Sequence, residues 1–237
     1  MKNFLRILFV VSVLAFVLTG CGGLNKFYMD AGRNSIGPIA MGVPYTSTVK
    51  VFGYMKPGAP ADAEVGGKKM FYLYVWIPAV APEIGVRMFS PVGKLATPNA
   101  KEDIILPGWQ EGASDAANYF DTWVSFEKAK DVAEPADIAT KAAKSEWTLF
   151  GNSDDSSEMP KQPSGSYYNS LMRAQSSPSD PLKAIIKGLY RIGFTTYKVG
   201  EVKGSFYVEV GAPVKLPGVV IARTLDEVSK EVTKPAK

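Results

Sequence analysis

Histidine is absent from all 237 residues, and cysteine occurs once, as Cys21. Without imidazole, Ser-His-Asp and Cys-His catalysis and histidine metal ligation are excluded. One cysteine supports no intrachain disulfide and no thiolate zinc or iron–sulfur centre. Phosphate-cradling loops are missing too, because Gly22-Gly23 and Gly66-Gly67 lack the strand-to-helix setting such loops need. An enzyme built from what remains would rely on carboxylates, hydroxyls and lysines, as carboxylate-pair glycosidases do. No such pair stands out, which argues against a hydrolase.

What is present begins at the N-terminus. Lys2 and Arg6 precede an apolar run, Ile7 to Leu18, broken only by Ser12 and followed by Thr19-Gly20-Cys21. This is the layout of a secretory signal, and the run is shorter than the roughly 20 apolar residues needed to span a bilayer. Leu18-Thr19-Gly20-Cys21 resembles the lipobox of bacterial lipoproteins. That resemblance implies cleavage after residue 20 and acyl chains, palmitate among them, on Cys21. Two or more chains hold a protein on its membrane, since each buried methylene contributes about 0.8 kcal/mol. Gly22 after the cysteine, rather than aspartate, is compatible with sorting to an outer membrane.

Formal net charge is +4 and falls to about +2 once the segment holding Lys2 and Arg6 is removed. That balance argues against nucleic-acid binding, which shows as a clustered basic face. Hydrophobic residues make up 46% of the chain, too many for a disordered one. Residues 1–20 read as signal, 21–43 as a lipidated flexible tether punctuated by Gly32, Gly37, Pro38 and Gly42, and 44–237 as one domain.

Strand signals dominate the domain. Thr48 to Tyr54 is β-branched and aromatic and stops at Lys56-Pro57-Gly58. Met70 to Ile77 is continuously apolar, which fits a strand covered on both faces. Gly85–Phe89 and Tyr119–Phe126 follow. Leu189–Tyr197 and Val202–Val210 flank Lys198-Val199-Gly200-Glu201 in the manner of a hairpin. Helical signals are few: Pro135 opens an alanine-rich stretch to Lys144, Ser179-Asp180-Pro181 opens a short run to Ile186, and Thr224-Leu225-Asp226-Glu227 is a capping box. Many strands without a βαβ rhythm predict an all-β sandwich with short helices, including an amphipathic one at the C-terminus.

Several blocks resemble the family of the major outer-membrane surface lipoprotein of Leptospira. They are Phe52-Gly53-Tyr54-Met55-Lys56-Pro57-Gly58, Phe71 through Val80, Gly85-Val86-Arg87-Met88, Phe120-Asp121-Thr122-Trp123, Tyr168-Asn169-Ser170-Leu171 and Gly188 through Phe206. They run in one order from about Val51 to Phe206. The resemblance implies a jelly-roll-like β-sandwich and a non-enzymatic, calcium-binding surface lipoprotein of structural or adhesive role, with extracellular-matrix proteins as partners. The C-terminal tail departs from the family in length and composition.

The resemblance also implies a metal site. Position by position it falls on Asp121 and Thr122, on Asp154 and Asp155, and on Tyr168. The three aspartates would give carboxylates and Thr122 and Tyr168 carbonyl oxygens, a hard-oxygen set suited to calcium, which takes six to eight such ligands. The family's long aspartate run is reduced here to Asn152-Ser153-Asp154-Asp155-Ser156, which implies weaker affinity. From the residues alone, without the resemblance, Asp154-Asp155 reads as an ordinary solvated loop. Asp121, set among aromatics, needs a partner, for which Arg173 and Arg191 are alternatives to a cation. Tyr72, Tyr74, Trp76, Trp123 and Phe194 read as core or cross-strand pairs before they read as a ligand platform. A second functional class, a lipid-anchored glycan or small-molecule binder, predicts a concave groove with exposed aromatics. An uncovered sheet edge would permit homodimers.

Overall fold

The computed structural model describes residues 30–36, 39–177 and 179–234. The signal segment and Cys21 lie outside the described residues. Among these residues no helix is long and apolar enough to cross a membrane.

Thirteen strands are described: β1 (Asp30–Ile36), β2 (Ile39–Pro44), β3 (Ser47–Met55), β4 (Ala63–Val65), β5 (Lys68–Ile77), β6 (Glu83–Phe89), β7 (Ile104–Ile105), β8 (Thr122–Ala129), β9 (Trp147–Ser153), β10 (Ser170–Gln175), β11 (Gly188–Thr196), β12 (Gly204–Ala212) and β13 (Val220–Ala222). Three short helices join them: α1 (Trp109–Gly112), α2 (Pro135–Lys141) and α3 (Leu225–Val232). One sheet has the order β10-β6-β12-β3-β7, the other β13-β5-β11-β8-β9 with β4 added beside β5. Pairings are antiparallel, apart from β3 with β7.

The two sheets enclose one apolar core. Phe71, Leu73, Val75 and Ile77 of β5 meet Val86 and Met88 of β6 and Val208 and Val210 of β12 across it. Burying each such side chain contributes roughly 1.5–3 kcal/mol. The opposite faces are covered as well, which is why β5 is apolar from Met70 to Ile77 without alternation and β12 is buried along its whole length. Trp76 and Leu189 turn outward from the second sheet and pack beneath Ile138 of α2 and Val228 of α3. Phe52, Phe89 and Tyr207 turn outward from the first sheet, beneath Val92 and Trp109.

The C-terminal helix starts as its capping box predicts. The Glu227 amide donates to Thr224 Oγ1 at 3.2 Å, and the Thr224 amide donates to Glu227 Oε2 at 3.0 Å. Two sequence-based expectations are overturned. Of the 21–43 segment read as a tether, the described residues are not featureless: β1 (Asp30–Ile36) and β2 (Ile39–Pro44) pair antiparallel with Ile36 opposite Ile39 and an irregularity between Asp30 and Arg33. Glycine weakens a strand but does not forbid one when a neighbouring strand supplies ladder bonds. The second concerns Leu189–Tyr197 and Val202–Val210. β11 pairs with β5 and β8, and β12 with β3 and β6, so the turn at 198–201 crosses between sheets and closes no hairpin.

Candidate functional site

Strand register brings the predicted residues into one neighbourhood. Asp121 immediately precedes β8, and β8 pairs antiparallel with β9 so that Val124 faces Ser153. The chain leaving β9 therefore delivers Asp154 and Asp155 beside the start of β8. On the other side of β8, Thr122 faces Thr196 of β11, and the Tyr197 amide donates to the Asp121 carbonyl at 3.1 Å.

A hydrogen-bonded floor fixes this geometry. The Thr122 amide donates to the Tyr168 carbonyl at 3.0 Å, and the Ser170 amide donates to Thr122 Oγ1 at 2.9 Å. Ser170 Oγ lies 2.7 Å from the Thr122 carbonyl and 2.9 Å from the Asp154 carbonyl, within donating distance of both. Gln162 is buried below, and its Nε2 reaches the carbonyls of Phe120 at 2.7 Å, Ser90 at 2.8 Å and Tyr168 at 3.1 Å. Asn169 completes the floor, accepting from the Ser90 amide at 3.0 Å and donating to the Pro160 carbonyl at 2.7 Å. The Tyr168 ring is exposed while its carbonyl points into this network.

The acids above the floor are under electrostatic stress. Asp121 Oδ1 is buried and has no hydrogen-bond partner. Its carboxyl is pushed up to about 6, first by burial, then by Asp155 and Asp154, against a smaller pull from Lys198 and Lys68. Burial also raises Asp155, with Asp154 adding to it. Asp154 folds back, its Oδ1 accepting from the Asp155 amide at 2.8 Å. A buried carboxylate oxygen with no donor and two like charges nearby is the environment a cation would relieve.

The two alternative partners of Asp121 are engaged elsewhere. Arg173 grips Glu158 with two bonds of 3.0 and 2.9 Å, and Arg191 grips Glu127 at 2.9 and 2.6 Å. Arg191 is also sandwiched, its guanidinium centre 4.1 Å from the Tyr72 ring and 4.2 Å from that of Trp147. Tyr72, Trp76 and Phe194 are buried, so these aromatics serve packing.

The arrangement leaves a divalent ion incomplete coordination from side chains. Among the described residues, no three acidic groups are drawn together tightly enough to hold an ion on carboxylates alone. Backbone carbonyls, water and some closing of the 154–155 turn would have to complete a shell of six or more oxygens. The Tyr168 carbonyl already accepts from Thr122 and Gln162, so an ion there would compete with Gln162. Asn169 and Ser170 lie in the Tyr168-Asn169-Ser170-Leu171 block that carries the resemblance, whereas Ser90 and Gln162 carry no sequence signal, because isolated polar residues look alike until the fold buries them.

Fold and site together define a β-sandwich domain with an acidic rim cluster at the β8–β9 end. The family model for the surface lipoprotein of the Spirochaetales order (Lipl32) matches residues 39–221, and the chain belongs to this family. No curated protein matches the chain.

Proposed function

We propose that this spirochaetal surface lipoprotein is anchored in the outer membrane by acyl chains on Cys21 and is non-enzymatic. Its sandwich binds calcium through Asp121, Asp154 and Asp155 with the carbonyls of Thr122 and Tyr168, and serves a structural and adhesive role toward extracellular-matrix proteins. The observation that carries the calcium reading is the buried, unpartnered Asp121 Oδ1, whose carboxyl is raised by burial and by the two facing aspartates. The Leu18-Thr19-Gly20-Cys21 motif and family membership support the anchor.

Thermal melting with and without calcium tests the site. A ligand at 100 times its Kd adds about 2.7 kcal/mol to a native state that alone binds it. The melting temperature should rise with millimolar calcium in the natural chain and stay fixed in Asp154→Asn/Asp155→Asn. A calcium response that survives the double substitution, or no response in the natural chain, removes the site.

A further inference from the structure

We infer a second binding site, for a small tetrahedral oxyanion of the sulfate or phosphate type, on the outer face of the β10-β6-β12-β3-β7 sheet. A cavity of about 230 Å³ opens there, lined by Lys50, Arg87 and Lys94 together with Phe52, Phe89 and Tyr207. Its charge balance follows from strand register. Glu209 lies directly opposite Lys50 on one side and Arg87 on the other, so one carboxylate faces two cations across three strands.

Glu209 is committed to Arg87. Arg87 Nε donates to Glu209 Oε2 at 2.6 Å, Nη2 pairs with the same oxygen, and the Tyr207 hydroxyl donates to it at 2.8 Å. Arg87 is only 7% exposed and Glu209 only 4%, so the guanidinium at the back of the cavity is held in a fixed position. The stacked rings of Phe89 and Tyr207, 4.6 Å apart, and Phe52, 5.0 Å from Tyr207, form a rigid base.

Lys94 sits on a turn pinned to the sheet. The Leu95 amide donates to the Val92 carbonyl at 2.9 Å, and the Val92 amide donates to Ser205 Oγ at 3.0 Å. Neither Lys50 nor Lys94 has an ion-pair partner among the described residues. With Arg87 and Glu209 neutralising each other at the back of the cavity, the uncompensated charge around its walls is that of Lys50 and Lys94, which selects an anion of few atoms. The cavity shares no residue with the Asp121 cluster, so the two readings stand or fall separately.

The test titrates the full chain with sodium sulfate against sodium chloride at matched ionic strength, following backbone amides by NMR. Saturable shifts at Arg87 and residues 94–97 are expected with sulfate and absent with chloride. Lys50→Met/Lys94→Met, which leaves the buried pair intact, should weaken sulfate binding about tenfold or more. Asp154→Asn/Asp155→Asn should leave it unchanged. Glucose 6-sulfate binding more tightly than inorganic sulfate assigns the anion to a sugar-borne sulfo group; the reverse assigns it to a free oxyanion. Linear shifts shared with chloride, or sulfate affinity untouched by the double lysine substitution, overturn the site.

Discussion

Gln162 Nε2 lies 2.7 Å from the Phe120 carbonyl and 3.1 Å from the Tyr168 carbonyl, so one buried amide ties the entry of β8 to the entry of β10. The same nitrogen reaches the Ser90 carbonyl at 2.8 Å, at the end of β6. Three segments distant in sequence thus share one donor group. Gln162→Leu keeps the volume but leaves buried carbonyls short of a donor, a loss of roughly 1–3 kcal/mol for such a group. The urea midpoint should fall accordingly with the slope unchanged. A midpoint unchanged from that of the natural chain would mean that water substitutes for the amide.

Asp121 gives the calcium-free chain an unusual acid-side response. Its folded pKa of about 6 lies above the ordinary 3.8. Between those values the folded chain holds a proton that the unfolded chain has released, so this group's contribution to stability is present below the unfolded pKa and is lost as pH rises through 6. Asp121→Asn should therefore stabilise the calcium-free protein at pH 7 and flatten the slope of melting temperature against pH from 4 to 6. Calcium should flatten that slope in the natural chain by favouring the ionised carboxylate. An Asp121→Asn variant less stable than the natural chain at pH 7 without calcium would show that this carboxylate is not repelled by its neighbours.

Much of this fold was legible because individual strands announce themselves. Met70–Ile77, apolar throughout, is β5 with both faces covered, and Thr224-Leu225-Asp226-Glu227 opens α3 with both bonds of its box made. Pairing was less legible. β11 and β12 are joined by residues 197–203, turn-like at 198–201, yet they enter different sheets, because each is a central strand buried along nearly its whole length, a demand no local turn signal encodes. Edge strands were missed as well. Trp147–Ser153 has no fully buried residue and Ser170–Gln175 mixes polar with apolar, so neither shows a periodic stripe strong enough to read. The resemblance located the acidic cluster; the polar floor beneath it emerged only with the fold.

Close packing against glycine offers another measurable consequence. A Cβ at Gly53 would lie 2.2 Å from Cζ of Phe206, and two further ring atoms stand within 3 Å. Phe206 is fully buried and packs 5.1 Å from the Phe194 ring, leaving little room to retreat. Gly53→Ala should destabilise by roughly 1–3 kcal/mol through overpacking, whereas Gly58→Ala at a turn with open space is opposed only by its positive φ of 74°. Equal costs at the two positions would mean that the ring yields freely.

The buried pair of Arg87 and Glu209 separates local electrostatics from packing. Their side chains are 8% and 5% exposed, and Glu209 Oε2 also serves the Tyr207 hydroxyl. Burial holds that hydroxyl protonated, and the neighbouring Glu209 carboxylate reinforces the effect. Arg87→Met alone strands a buried carboxylate and should cost roughly 3–5 kcal/mol. Adding Glu209→Leu removes the stranded charge but orphans the tyrosine hydroxyl, so recovery should be partial. With Tyr207→Phe included as well, the row becomes apolar against Phe52 and Phe89 and stability should return to within about 1–2 kcal/mol of the natural chain, since apolar replacement of a buried ion pair is often neutral. Denaturant melts of the single, double and triple variants read this order directly. A triple variant no more stable than Arg87→Met would show that this row stabilises through its charge network and not through the space it fills.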